Sequence, residues 1–363
     1  MRHLTPFIVA TALVLAGGRA RADGAADEVS AGSTPQTATT PKSTWLADKV
    51  GAIWEPGDRW QLRADFTATR DYGAPVVAMP TADTQTNIYL ANLSGEYDPS
   101  DQWSFKIIGG YSPAATLFSG TQVPFTTRTG MSVNANAALQ STSSSLAGGA
   151  MLGFDSGDAR DVEYAATFFL NATYYDTQQQ ITALQDRAGA SLDVQQLRDY
   201  CAAHTCQAQL LAALAGGEGT LVQVMLEGTA AITLYRHTDI GVDAAYYAYD
   251  KDPTQVGYFS LAAVGRAATF GSGMGIAPYE YTIAPDIVER WGGFLAMASV
   301  SYGKYADNEG SDVTGQLRVQ YKVKLAKSKR LKLWGKLVAS RDVDQTNAVS
   351  TSGSASLGAQ YTW

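Results

Sequence analysis

The stretch "VTGQLRVQYKVKL", residues 313–325, alternates at every step between an apolar or neutral side chain and a polar one. Successive side chains of a β-strand point to opposite faces, so this stretch predicts one strand with a dry face and a charged face. Strands of ordinary globular proteins cluster near five or six residues, whereas a tilted transmembrane strand needs about 9–11. The length therefore favours lipid on the dry side and water on the charged side.

The same alternation returns along most of the chain, in segments of about 9–16 residues: 60–68, 89–97, 102–111, 162–175, 222–235, 240–249, 290–305, 330–340 and the last residues. A soluble sandwich also alternates, with its apolar side turned into a core. Tyrosine and tryptophan near the ends of the apolar faces favour a membrane instead, because such aromatic girdles lie at membrane interfaces. These aromatic residues are Trp60, Tyr89, Tyr97, Trp103, Tyr111, Tyr164 and Tyr174.

The connections alternate between short polar turns (98–101, 155–161, 236–239 and 326–330) and long segments (70–84, 112–144 and 177–219). Transmembrane barrels have short turns at one end and long loops at the other. We therefore expect a closed antiparallel β-barrel of about twelve strands, with 10–14 open. Residues 266–290 fit poorly, because parity makes them a turn although they contain the strand-like "YEYTI", and the strand expected near 256–265 is the least regular.

The C-terminal "ASLGAQYTW" places Leu357, Tyr361 and Trp363 on one face and ends on an aromatic residue. This resembles the C-terminal strand signature of bacterial outer-membrane β-barrel proteins, although that family more usually ends on Phe. The resemblance covers residues 58–363 and concerns architecture only. It implies an outer-membrane location, contact with outer-membrane lipids, and recognition of the last strand by the barrel-assembly machinery through Leu357, Tyr361 and Trp363.

The N-terminus has the pattern of an export signal: Arg2, an apolar run too short to span a bilayer, and Ala20-Arg21-Ala22 as a cleavage site. We expect cleavage after Ala22, which removes three arginines and moves the formal charge from −7 to −10. This balance gives no indication of a nucleic-acid partner. Residues 23–57, rich in small residues, are expected to form a flexible periplasmic segment.

The predicted register turns eleven charged side chains toward the lumen: Arg63, Asp65, Lys106, Glu163, Glu227, Asp243, Arg318, Lys322, Lys324, Lys332 and Lys336. If "AKSKR" is a tight turn, Lys324 and Lys332 lie nearly opposite each other. Such cations could bias a pore toward small anionic solutes. A solvated or salt-bridged interior without selectivity is the alternative, since a barrel of this size can be filled by its own side chains and loops.

The 177–219 segment changes to helical spacing and predicts two short helices in an extracellular insertion. Leu192 and Leu197 share a side of the first, and Leu210, Leu211 and Leu214 mark a second that ends at Gly216-Gly217. Cys201 and Cys206 are expected to form a disulfide in an oxidising compartment. A metal site is not favoured, because Cys201, His204 and Cys206 supply only three ligands.

A porin-like channel or transport barrel for small solutes is the function that this architecture favours. A closed barrel that displays the 112–144 and 177–219 loops for binding is the alternative, and a hydrolase at the barrel rim comes third. We expect no enzymatic activity, cofactor or metal. The mature chain has only His204 and His237, and no catalytic constellation or phosphate-binding loop surrounds them.

Overall fold

The computed structural model describes residues 24–34, 43–71, 86–126, 132–157, 162–186, 188–204, 214, 218–251, 253, 279–306, 310–325, 330–344 and 349–362.

These residues form 14 strands and a short helix. The strands are β1 (Gly24–Thr34), β2 (Ser43–Gly57), β3 (Trp60–Asp71), β4 (Thr86–Ser100), β5 (Trp103–Thr126), β6 (Ser132–Asp155), β7 (Val162–Gln185), β8 (Glu218–Leu234), β9 (Thr238–Tyr249), β10 (Tyr279–Trp291), β11 (Phe294–Tyr305), β12 (Gly310–Lys324), β13 (Arg330–Asp344) and β14 (Val349–Thr362). The helix α1 (Val194–Ala203) lies between β7 and β8.

Each strand pairs antiparallel with its neighbours in sequence, and β1 also pairs with β14, which gives the strand order of a closed barrel. The expected all-β antiparallel architecture is confirmed. The strand count is 14, two more than the favoured twelve. We call the end with the β2–β3, β4–β5, β8–β9 and β10–β11 turns the short-turn end, and the opposite end the long-loop end.

The outer surface is a belt of exposed apolar side chains bounded by aromatic pairs. Leu317 is 47% exposed although it lies in the middle of β12. At the short-turn end, ring centroids are 4.6 Å apart for Trp60 and Tyr97, and 5.7 Å apart for Trp291 and Phe294. From Trp291 to the exposed Tyr281 on the same strand is about 33 Å, or about 25 Å along the axis of a barrel whose strands tilt by about 40°. That height matches the apolar band of outer-membrane barrels.

The N-terminal segment differs from the prediction, because residues 24–34 and 43–57 are strands β1 and β2 rather than a flexible lead-in. In β2, Leu46 and Trp54 are exposed on the face shared with Val50 and Ala52, but Asp48 interrupts that apolar row. The small residues of β1 show no alternation at all. Backbone pairing with β2 and β14 holds β1 in place.

The assignment of 266–290 as a turn was wrong over its second half. Residues 279–291 are β10, which pairs with β9 and β11, and the β10–β11 turn is Gly292–Gly293. Gly292 has a φ of +57°, as a tight turn requires. The strand predicted near 256–265 lies outside the described residues. Strand β9 ends and β10 begins at the long-loop end, so short turns and long connections still alternate along the chain.

The segment 112–144, predicted as a long loop, consists mostly of strand, because β5 and β6 pair as far as Thr126 and Ser132. Strands β5, β6 and β7 have 24 residues each, which corresponds to about 80 Å of strand. This length far exceeds the apolar band. Beyond that band both faces of a strand meet water or protein, so the sequence there no longer alternates in polarity.

The C-terminal strand β14 turns Leu357 outward, with 72% of its surface exposed, and Tyr361 shares that face. Trp363, the third residue of the predicted assembly signal, lies outside the described residues. The location of Leu357 and Tyr361 on the outer surface is the one that the signature requires.

Candidate functional site

All eleven charged residues that the sequence analysis assigned to the lumen lie on the strand faces opposite the exposed apolar side chains, and we call these faces the inner wall. Each alternates with exposed apolar side chains on its own strand; Arg318, for example, lies between Leu317 and Val319. The register fixes which of these charges face one another across strands. The charges that face one another divide the inner wall into three chemically different sectors.

The sector on β2–β5 is neutralised by ion pairs. The Arg63 Nε lies 2.6 Å from a carboxylate oxygen of Asp65, and the Lys49 Nζ lies 3.9 Å from the same oxygen. On the next pair of strands, the Lys106 Nζ lies 3.1 Å from Glu96. Neither Lys49 nor Glu96 was among the charged residues that the sequence analysis assigned to the lumen. Arg63, Asp65 and Lys106 therefore each have a partner of opposite charge, and the five residues together carry a net charge of +1.

The sector on β8–β10 is acidic. Glu227, Asp243 and Asp286 lie on adjacent strands, each displaced by two residues from the position directly opposite its neighbour. Their carboxylates repel one another. Asp286 was missed because its strand was interpreted as a turn. Glu163, on β7, is a cross-strand partner of Thr233 close to the short-turn end.

The sector on β12–β13 is basic, and its charges face like charges. Arg318 is the cross-strand partner of Lys336, Lys322 of Lys332, and Lys324 of Arg330. We call these six residues the basic wall. Lys324 and Lys332, which the sequence analysis expected nearly opposite each other, are displaced by two residues from direct partners, because the register pairs Lys324 with Arg330. Lys322, Lys324 and Arg330 are exposed on this inner face.

Trp334 also belongs to the inner face of β13, and the sequence analysis did not single it out. The Arg318 Cζ lies 5.3 Å from the centroid of the Trp334 ring, within the range of a cation–π contact. The sequence could have assigned Trp334 to this face, because it lies two residues from both Lys332 and Lys336 and alternate residues of a strand share a face.

Toward the long-loop end, the inner wall of β7–β12 is packed with hydrogen-bonded tyrosines. The Tyr175 hydroxyl donates to Gln223 at 3.2 Å, the Gln223 amide donates to the Tyr249 hydroxyl, and that hydroxyl donates to the Tyr279 carbonyl at 2.8 Å. The Tyr279 and Tyr305 rings stack at 5.0 Å. Tyr175 is only 2% exposed, so side chains fill this part of the wall.

The insertion between β7 and β8 contains α1, as predicted. Asp193 caps its N-terminus by accepting from the Gln195 backbone N–H at 2.9 Å. Leu197 is fully buried against Ala135 and Ala137 of β6 and Leu184 of β7. These three strand residues have the parity of the inner face once the irregularity between Ala138 and Leu139 is counted. The helix therefore packs on the lumenal side of the extended β6–β7 strands.

The second predicted helix is described only at Leu214, which is buried in the same cluster, while Leu210, Leu211 and Gly216-Gly217 lie outside the described residues. Cys201 is not a free thiol, but Cys206 lies outside the described residues, so the Cys201–Cys206 disulfide stays a prediction. No helix within the described ranges is long and apolar enough to cross a membrane.

His204 and His237 both contact backbone carbonyls. The His204 Nδ1 lies 3.0 Å from the Tyr200 carbonyl oxygen, and its ring stacks on Tyr200. The His237 Nδ1 contacts the Tyr235 carbonyl oxygen in the β8–β9 turn. Over the described part of the chain, no three His, Cys, Asp or Glu side chains group as metal ligands.

Comparison with solved structures shows similarity to outer-membrane channels. The fold matches a TodX monoaromatic hydrocarbon channel deltaS2 mutant with a TM-score of 0.51 and 9% identity, covering 93% of this chain and 89% of that one. Further matches are a Pseudomonas aeruginosa FadL homologue (TM-score 0.43, 10% identity, 94% and 89% covered) and Acinetobacter baumannii OccAB1 (0.44, 10%, 95% and 99%). No family model matches the chain, and no curated protein does. At this identity the match to the TodX mutant shows the fold alone, and the resemblance to outer-membrane β-barrels is confirmed at that level.

Proposed function

We propose that this chain is a transport channel for small solutes in a bacterial outer membrane. The single observation that carries the proposal is the division of the strands into an exposed apolar belt about 25 Å high and a charged inner wall. The match in fold to an outer-membrane hydrocarbon channel is consistent with it. A barrel of this kind separates lipid from a polar interior, and that is the physical requirement of a pore.

The short-turn end faces the periplasm and the long-loop end faces outward, since outer-membrane barrels have this orientation. Export by the N-terminal signal, with cleavage after Ala22, and recognition of Leu357, Tyr361 and Trp363 by the barrel-assembly machinery belong to the same proposal. So does direct contact of the apolar belt with outer-membrane lipids.

The basic wall gives the channel a preference for small anions. The β12–β13 hairpin has four consecutive inward-facing pairs here; three consist of two cations each, and the fourth is Gln320–Trp334. The local potential is therefore positive. Rings of Lys and Arg select anions in other pores by the same electrostatic effect. The acidic group of Glu227, Asp243 and Asp286 lies two or more strands away and limits this preference to one side of the lumen.

Conductance in planar bilayers tests the proposal. We expect discrete current steps and a reversal potential that indicates anion preference in a KCl gradient. The double substitution Lys322→Glu and Lys324→Glu should reduce that preference, whereas Lys106→Gln, in the neutralised sector, should change it little. An anion preference that survives the double substitution contradicts the role of the basic wall.

A closed barrel that displays its long-loop end for binding is the second candidate. The buried tyrosine network and the packing of α1 on the lumenal side of β6–β7 favour it, because both fill space that a wide pore would leave to water. If protein with the circular dichroism spectrum of a β-barrel gives no current steps in planar bilayers, this candidate is supported and the channel is contradicted. A hydrolase has no comparable support, and we propose that the chain is not an enzyme.

A further inference from the structure

Arg318 and Lys336 face each other directly across β12 and β13, on the inner wall. Directly opposed side chains of antiparallel strands have Cβ atoms about 4.5–5.5 Å apart, and like charges at that separation are destabilising. Among the described residues neither one takes part in an ion pair, in contrast to Arg63 and Lys106 on other strands. Arg318 and Lys336 thus place two positive charges, with no ion-pair partner among the described residues, in one small part of the wall.

Trp334 holds the Arg318 guanidinium in place. The guanidinium carbon lies 5.3 Å from the centroid of the indole ring, which is a favourable cation–π distance. The ring in turn lies over Gly358 of β14, where a Cβ would come within 2.3 Å of the ring carbons. Glycine at this position therefore allows the indole to lie close to the β14 backbone. The arginine is preorganised by a contact that restricts its long side chain.

Two hydrogen-bond donors of this cluster are buried and have no partner within the described part of the chain: the Arg318 Nε and the Trp334 Nε1. More than nine in ten buried polar groups in native proteins are paired with protein or ordered water. Here both unpaired atoms are donors, they belong to one stacked pair, and a second cation faces them. Two unsatisfied donors beside a second cation favour an acceptor that carries negative charge.

We propose that Arg318, Trp334 and Lys336 form a discrete binding site for one oxyanion, the carboxylate of a small organic acid or inorganic phosphate. The planar guanidinium presents parallel N–H groups that match two oxygens of such an anion, and the Lys336 ammonium adds a point charge from the opposite strand. The inference rests on the proposed function, since a solute reaches this wall only if the lumen admits it.

The other two pairs of the basic wall lie in a different setting. Lys322–Lys332 and Lys324–Arg330 are nearer the short-turn end than Arg318–Lys336. Lys322, Lys324 and Arg330 are exposed, so water can screen their charges. They attract anions toward the wall, whereas the Arg318 cluster binds one of them in a defined geometry.

Binding is measured on the refolded full chain in detergent micelles, through intrinsic tryptophan emission, with sodium acetate or sodium phosphate as the probe. Sodium chloride keeps the ionic strength constant. We expect a saturable emission change that is absent in Trp334→Phe, since that variant keeps the other six tryptophans. Arg318→Gln and Lys336→Gln should weaken binding at least tenfold. The matched control Lys324→Gln removes one cation of the same wall and should change affinity less than twofold. Circular dichroism verifies that each variant retains the barrel.

The probe, acetate or phosphate, whose emission change saturates at the lower concentration identifies the oxyanion. A saturable change with either probe supports the site. Equal weakening by Lys324→Gln, or equal competition by chloride, overturns it in favour of diffuse attraction. No saturable change in the folded wild-type protein also overturns it. Channel steps without saturable binding contradict this site but leave the transport proposal intact. Saturable binding without channel steps contradicts the transport proposal but supports this site.

Discussion

Lys322 and Lys332 are direct cross-strand partners on the inner face of the β12–β13 hairpin. Like charges that face each other directly across strands repel, so this proximity does not itself stabilise the barrel. Together with Lys324 and Arg330 the two lysines create a positive potential that acts on mobile ions.

Replacing Lys322 by Glu should stabilise the barrel, because a carboxylate would then face Lys332. We expect the free energy of unfolding to rise by about 0.5 kcal/mol, the scale of opposite-charge cross-strand pairs. Urea unfolding in lipid vesicles measures it. Lys322→Gln, which removes the repulsion without adding an attraction, should give a smaller gain. A loss of stability in Lys322→Glu would mean that Lys322 has a stabilising partner.

Leu317→Arg tests whether the exposed apolar face meets lipid. Leu317 lies in the middle of β12 and is 47% exposed, so an arginine there should cost about 2–4 kcal/mol in vesicle-based unfolding. Gln316→Arg adds the same side chain one residue away, on the inner face, and should cost less than about 1 kcal/mol. Equal costs at the two positions would contradict the assignment of faces.

Gly358→Ala should lower the free energy of unfolding by about 1–3 kcal/mol, because the new methyl group would overlap the Trp334 ring. The effect should fall below about 0.5 kcal/mol in the Trp334→Ala background, where the ring is absent. A double-mutant cycle measures this coupling. Additive effects would show that the two residues do not share the contact.

Leu197→Ala should loosen α1 without affecting the barrel. The side chain is fully buried, and truncating a buried leucine costs about 2–5 kcal/mol of local stability. We expect faster proteolysis within residues 188–204, measured by mass spectrometry, with an unchanged strand signal in circular dichroism. Gln196→Ala, on a less buried side of the helix, is the control. Equally slow cleavage of Leu197→Ala and wild type would show that this packing does not secure the helix.

The sequence predicted which face of each strand meets lipid, but not which residues are partners. In β12 the alternation from Leu317 to Tyr321 agrees with the exposure of every second side chain. Lys332 was nevertheless paired with Lys324 instead of Lys322. A shift of two residues preserves both faces, so the polarity pattern cannot detect it, and only the geometry of the connection decides.

Two of the strand segments that the sequence missed are ones on which lipid imposes no pattern. Strand β1 has small residues on both faces, and β6 carries the polar run "STSSS" at 141–145, well within a 24-residue strand. Backbone hydrogen bonds to neighbours stabilise these segments whatever their polarity. For the candidate site, the cations could be predicted from parity, whereas the contact of Trp334 with Gly358 depends on a register that parity does not define.

The unequal lengths of the strands give the barrel mouth an uneven height. Strands β5, β6 and β7 have 24 residues each, while β9 to β14 have 12–15. About ten extra residues correspond to about 25 Å along the axis of a tilted barrel. Over the described strands, one flank of the entrance is therefore a tall screen and the opposite flank is low. Among the described strands, a solute that approaches from the side of β5–β7 meets a wall that β9–β14 do not form on the other side.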